Sequence, residues 1–397
     1  MKIIYLHQYF KHPRESGGTR SYWITKALVE RGHKVVVITS RNNMNKPHER
    51  LQTEGFEIIY INTPYDNNMG IWKRLRAFLN FMFKATLFSL QEKKVNMVFA
   101  TSTPLTIGFP ALILKWFRRI PFVFEVRDLW PEAPIQMGMI KNKSIIYCLK
   151  IFEKTIYNNA KSIIALSPGM EKGVLECVNG SKTVAMIPNM AKIDLFYPRE
   201  RDKNMSKYID FDKFNVIYFG TIGVSNNLNY VVDTAKLLSK SKDNSINFII
   251  LGEGKDKPML EKLIEENNLK NIKLISSKPA LETSEIVNAC DISLVIFKNI
   301  PILRTNSPNK LFDSLSAAKP IIVNSSGWTK TLVEEERCGF YTNPNAPQDL
   351  ITKIKILKED KQLCQKFSTN ALNLAREKFD KSILVKEVTK IIEESSV

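Results

Sequence analysis

Val216-Ile217-Tyr218-Phe219 is a short β-branched and aromatic run, and the chain leaves it through Gly220-Thr221-Ile222-Gly223. Phe248 to Leu251 repeats the device and leaves through Gly252-Glu253-Gly254. Small residues after a strand open the carboxyl edge of a sheet, which is where open α/β sheets bind ligands. Gly220, Thr221, Gly252 and Glu253 are therefore expected to make room for one. Outward from this pair the same short runs recur at Ile272–Ser276, Ile292–Ile296 and Ile321–Val323, each followed by a helix-like segment. The first half keeps the rhythm with Ile3–Leu6, Val35–Thr39, Ile58–Ile61, Val95–Ala100, Phe122–Val126 and Ile163–Leu166. Strands that alternate with helices predict parallel, doubly wound sheets. The expected fold is α/β, with two Rossmann-like domains facing each other across a cleft.

A chain of 397 residues exceeds one ordinary core, since a domain takes ~100–200 residues. The polar stretch Pro198 to Lys207 has no hydrophobic period and suits a connection between domains. The division is thus expected as 1–198 and 199–380. Residues 381–397 should form an amphipathic helix, with Ile383, Leu384, Val388 and Ile392 apolar, that packs back towards the first domain. The five cysteines are scattered, without a Cys-x-x-Cys pair, and read as buried thiols in a reducing compartment. Met1 to His7 is too short an apolar run for a signal peptide, so a cytoplasmic protein is expected.

Net charge is +18 and uneven: residues 1–200 hold 29 Lys/Arg against 15 Asp/Glu, and residues 201–397 hold 29 against 25. Such a field attracts phosphate of any kind, on nucleic acid, membrane or nucleotide. Ile71 to Leu90 places Ile71, Leu75, Phe78 and Met82 on one helical face beside Trp72, Phe81 and Phe83. Lys73, Arg74, Arg76 and Lys84 interrupt it. A spanning helix needs about 20 largely apolar residues, so this one is expected to lie on a membrane surface or to pack between domains. Lys115-Trp116-Phe117-Arg118-Arg119 is a second cluster of the same kind.

Three segments could carry chemistry. After the first strand, Ser16-Gly17-Gly18-Thr19-Arg20 opens a helix, and a glycine backbone at a helix start can take a phosphate; an ordinary tight turn reads equally well. The segment is neither Gly-x-Gly-x-x-Gly nor a Gly-Lys-Ser/Thr loop, which weakens nicotinamide and ATP readings. Glu125 to Glu132 crowds three acids, an arginine and a tryptophan at a strand end: Arg127 could hold a phosphate or sugar hydroxyl, Asp128 could bond a hydroxyl or act as a base, and Trp130 could offer a stacking face. An Arg–carboxylate brace is the alternative. Arg304-Thr305-Asn306-Ser307-Pro308-Asn309-Lys310 leads into a helix on which Lys310 could neutralise a diphosphate and Asp313 accept ribose hydroxyls.

In their order along the chain these segments resemble the GT-B-fold glycosyltransferases of family 4. Gly17-Gly18, Ala27 to Val35, Ile187-Pro188-Asn189, Gly252-Glu253-Gly254 and Ser307-Pro308-Asn309-Lys310 before Ala318-Lys319-Pro320 carry the likeness. Glu125 to Glu132 is most similar to the bacterial N-acetyl-L-fucosamine transferases that build O-antigen or capsule repeats. The resemblance implies retention, a UDP-sugar donor on the C-terminal domain, a polyprenyl-diphosphate-linked acceptor at the inner face of the membrane, and neither metal nor cofactor. The family's Glu-x(7)-Glu signature reads Thr305 and Asp313 here, and its diphosphate-gripping cations align near Thr221 and Asn226. Phosphate charge then falls on Lys310, with Arg304 and Lys278 as helpers. A GT-B-fold epimerase and a nucleic-acid-binding protein stand as rivals, the latter on charge alone.

Overall fold

The computed structural model describes residues 1–13, 15, 17–64, 69–180 and 182–396, with Ile71 as backbone only. Ser16 and the Ile71 side chain lie outside the described residues. Contacts divide the chain into two compact units, Met1–His12 with Gly18–Pro188 and Ser382–Val397, and Pro13–Gly17 with Asn189–Lys381. The sequence reading puts the division near residue 200; by contacts the second unit takes up the chain again at Asn189.

In the first unit lie β1 (Lys2–Leu6), β2 (Lys34–Arg41), β3 (His48–Thr53), β4 (Phe56–Asn62), β5 (Met97–Thr101), β6 (Phe122–Val126), β7 (Ser162–Ala165) and β8 (Val184–Met186). They form one sheet in the order β3-β4-β2-β1-β5-β6-β7-β8, parallel except for β3 against β4. Buried on both faces, β5, β6 and β7 need continuous apolar runs, which is why the sequence shows no alternation there. The edge strand β3 reads His-Glu-Arg-Leu-Gln-Thr, is solvent-facing throughout, and escapes a search for apolar runs. The helix Lys381–Glu394 belongs to this unit: Glu393 accepts from Arg31 Nε at 2.7 Å and sits 2.8 Å from His33 Nε2.

The second unit holds β9 (Phe214–Phe219), β10 (Ile246–Leu251), β11 (Ile272–Ile275), β12 (Ile292–Val295), β13 (Ile321–Val323) and β14 (Gly339–Tyr341) in the order β11-β10-β9-β12-β13-β14. Every pairing among them is parallel. Val216, Tyr218 and Phe248 point into a core shared with the helices Asn229–Lys240 and Pro347–Glu359, while Ile217, Phe219 and Ile249 point to the opposite side. Strand order reverses between β1 and β5 in one sheet and between β9 and β12 in the other. Ligands of doubly wound sheets bind at the carboxyl ends beside such reversals.

Candidate functional site

In the second unit the edge beside β9 is organised around Lys310. The helix Asn309–Ser316 begins after Pro308 in extended conformation, and no side chain caps it; the Leu311 N–H turns back to the Pro308 carbonyl at 3.1 Å, which leaves the amides of Asn309 and Lys310 for another acceptor. Lys310, in that turn, donates to the Tyr218 hydroxyl at 2.5 Å, and its Nζ stands 3.8 Å from the centre of the Tyr218 ring. Burial pulls its pKa down to about 7. Ser307 is fixed from behind: Asn189 donates its backbone N–H to Ser307 Oγ at 3.2 Å and its side-chain amide to the Ser307 carbonyl at 2.5 Å. Asn189 is thus a support for the loop before Lys310, a role not legible from its sequence.

The glycines of this edge allow close backbone approach. A Cβ on Gly252 would stand 1.9 Å from the Gly220 carbonyl oxygen, and one on Gly254 would stand 2.1 Å from that of Ile222. They let two loops pack backbone to backbone, sealed by the Ile222 N–H on the Glu253 carbonyl at 2.8 Å. Gly220, at φ +124°, gives way to Lys310, whose Cε would lie 3.2 Å from its Cβ. Thr221 is exposed, and its carbonyl accepts from the Tyr218 hydroxyl at 2.7 Å. Glu253 points outward and pairs with Lys257 at 2.8 Å, which holds its carboxyl below the ordinary value.

Other expected residues are held in contacts of their own. Asp313 is buried and its Oδ1 lies 3.1 Å from Lys192, so its carboxylate is engaged by a cation inside the unit. Lys278 is 3.7 Å from Glu282 and lies over the Tyr208 ring; its hydrogen bond with Tyr208 raises its pKa. Arg304 is exposed, with Nη2 at 3.4 Å from Asn299 Oδ1. Asn226 donates to the Ile296 carbonyl at 3.4 Å and so helps hold the loop after β9.

In the first unit Arg127 and Asp128 leave β6 at the carboxyl edge, where the Arg127 N–H donates to Ser102 Oγ, just past β5, at 3.0 Å. Both side chains are partly exposed, and among the described residues neither forms an ion pair. Burial of its carboxyl pushes Asp128 up to about 6 against the opposing charge of Arg127. His7, just past β1, is held well below its ordinary pKa by burial, with Arg127 adding to the effect, and its Nδ1 is 2.7 Å from Ser21 Oγ. A brace does exist here, but with different partners from those anticipated: Arg20 donates to Glu125 at 2.8 Å and to the carbonyls of Ile187 and Pro188. Arg20, expected among the binding residues, is enclosed by these contacts. Gly17 has φ +122°, the left-handed region that glycine tolerates, and Gly18 precedes the helix Arg20–Glu30.

The helices Ile71–Gln91, Gly108–Arg118 and Lys143–Asn159 pack side by side in this unit. Phe83 meets Phe109 at 6.3 Å between ring centres, and the Trp116 indole donates to Asn159 at 3.2 Å. The exposed stripe of the first is Trp72, Leu75, Leu79, Phe83, Leu87 and Leu90, whereas Met82 and Phe81 turn inward. Trp116 and Phe117 continue it on the second helix and Ile145, Tyr147 and Ile151 on the third, where Lys143, Lys150 and Lys154 also face solvent. Among the described residues no helix is long and apolar enough to cross a membrane, and no group of three or more His, Cys, Asp or Glu could hold a metal ion.

A family model described as Glycosyl transferases group 1 matches residues 200–374, and one described as Glycosyl transferase 4-like domain matches residues 17–190. The probable glycosyltransferase WbjE of Pseudomonas aeruginosa is 22% identical over 277 residues, 67% of this chain and 68% of its own. The alpha-monoglucosyldiacylglycerol synthase of Acholeplasma laidlawii is 27% identical over 362 residues, 84% of this chain and 87% of its own. Among solved structures, Anabaena HepE in complex with UDP and glucose has a TM-score of 0.73 at 16% identity, covering 99% of each chain. These matches do not favour an epimerase or a nucleic-acid-binding protein. With one glycosyltransferase model on each half and a GT-B neighbour along its whole length, the chain is a group 1 glycosyltransferase of GT-B fold.

Proposed function

We propose that this glycosyltransferase moves a sugar from a UDP-sugar to a polyprenyl-diphosphate-linked saccharide during O-antigen or capsule synthesis, with retention of configuration. The donor sugar is an N-acetylated 6-deoxy hexosamine of the N-acetyl-L-fucosamine kind. The observation that carries the donor half is Lys310 at the uncapped start of the helix Asn309–Ser316, beside the reversal between β9 and β12. Free amides and an ammonium at one helix start suit a diphosphate. The UDP held by HepE, a protein of the same fold, supports it. As UDP departs, negative charge grows on the diphosphate, and Lys310 stabilises it from a fixed position. Arg127, at the carboxyl edge of the first unit's sheet, is read as a ligand of a sugar hydroxyl, and Asp128 as the group that orients a hydroxyl of the acceptor.

The acceptor half rests on the exposed apolar stripe across three helices of the first unit and on the cations beside it. Bulky apolar side chains with interleaved Lys and Arg favour the headgroup layer of an anionic membrane, and the protein is read as peripheral on the inner face of the plasma membrane. A lipid product in the name of the Acholeplasma relative is in keeping with such an acceptor. Replacing Lys310 by Ala is expected to cost ~10²-fold or more in transfer rate with the fold intact. A variant with near-normal turnover would contradict the assignment of Lys310.

A further inference from the structure

Lys310 is seated chiefly by Tyr218. Tyr218 is fully buried in β9, and burial pushes its phenol above the ordinary range, so the hydroxyl keeps its proton. It donates that proton to the Thr221 carbonyl at 2.7 Å, which leaves its oxygen lone pairs to accept from the Lys310 ammonium at 2.5 Å. The ring lies under the same ammonium at 3.8 Å. From beyond β12 the Phe297 ring comes to 5.9 Å, and on the side of β9 Gly220 leaves room for the lysine stem. Among the described residues no acid faces the ammonium: Asp313, on the same helix, is paired with Lys192. Burial lowers its pKa.

We propose that Tyr218 is a positioning residue for Lys310, its ring and hydroxyl holding the ammonium at the carboxyl edge of β9 until a diphosphate takes it over. The proposal rests on the reading of Lys310 as a diphosphate ligand. It makes one residue of the strand both the floor of the site and the tie to the Thr221 loop. An ammonium that loses its acceptor is harder to charge, so removal of the Tyr218 hydroxyl alone must alter the titration of Lys310 even when the fold is unchanged.

The test is calorimetric titration with UDP between about pH 6 and 9, where lysine in this setting changes charge, in buffers of differing ionisation enthalpy. Wild-type affinity is expected to fall as pH rises through the Lys310 transition, with proton uptake on binding above it. Lys310→Met should weaken binding and abolish the step. Tyr218→Phe keeps the ring and should move the step down by about 0.5–1 pH unit, the worth of one lost hydrogen bond. The nucleotide's own phosphate titration is common to all three proteins and cancels in the comparison. A step unmoved in Tyr218→Phe but abolished in Lys310→Met overturns the positioning role and leaves Lys310 in place. Binding and step unchanged in Lys310→Met, or no UDP binding by the wild type, overturns the donor reading itself.

Discussion

Arg20 and Glu125 meet at 2.8 Å with side chains only 1% and 0% exposed, a buried ion pair between the first helix and the sixth strand. The same guanidinium reaches the carbonyls of Ile187 and Pro188. Removing one partner leaves the other as an uncompensated buried charge, which costs about 3–5 kcal/mol. Arg20→Ala or Glu125→Ala is therefore expected to lower the unfolding temperature by several degrees, read by thermal melting. Wild-type melting in either variant would contradict the brace.

Gly220→Ala is expected to damage donor binding more than its size suggests. The backbone sits at φ +124°, which costs a non-glycine residue about 1–3 kcal/mol. The new methyl would also stand 3.2 Å from Lys310 Cε and displace the ammonium from Tyr218. The KM for donor should rise several-fold, with a smaller change in kcat; an unchanged KM would show that the passage of the lysine past Gly220 is without consequence.

Most of the sheets could be read from the sequence because their strands are buried on both faces. Phe248–Leu251 and Ile321–Val323 were legible as unbroken apolar runs. Not legible were β3, which is polar and exposed, and the three-residue β8 and β14, which carry too few side chains to show a period. In the site, Lys310 was visible because a helix start after Ser-Pro-Asn is a local signal. Its partner Tyr218 is 92 positions away, and its only sequence trace is strand parity, which puts Tyr218 on the same face of β9 as Val216. The engagement of Asp313 by Lys192 and of Arg20 by Glu125 likewise depends on tertiary pairing that no local pattern encodes.

Asp128 is expected to give the transfer reaction an acid limb. Burial raises its carboxyl from 3.8 to about 6, so the fold favours the neutral form. The ionised form therefore costs stability that builds up as pH rises from the unfolded value and is complete above about 6. The carboxylate is the form that accepts from an acceptor hydroxyl, so kcat/KM should fall as pH drops through that value. Asp128→Asn is expected to remove the limb and lower the rate at neutral pH; a profile with the same limb would assign it to another group.

The three-helix surface should bind anionic vesicles. Each cation near such a surface contributes about 1 kcal/mol. Changing Lys73, Arg76 and Lys154 together to Glu is thus expected to reduce flotation with anionic liposomes by ~10²-fold or more in partition coefficient. Trp72→Ala with Phe117→Ala should weaken it in high salt as well, since apolar insertion is not screened. Flotation unchanged in the charge variant would rule out this face as the anchor.

The most direct measurement is UDP release from a panel of UDP-sugars, N-acetylated hexosamines and their 6-deoxy forms included, with and without a synthetic polyprenyl-diphosphate sugar. Acceptor-dependent UDP release from one donor, lost in Lys310→Ala, is the predicted result. Release with no donor, or interconversion of a sugar nucleotide without transfer, would contradict it.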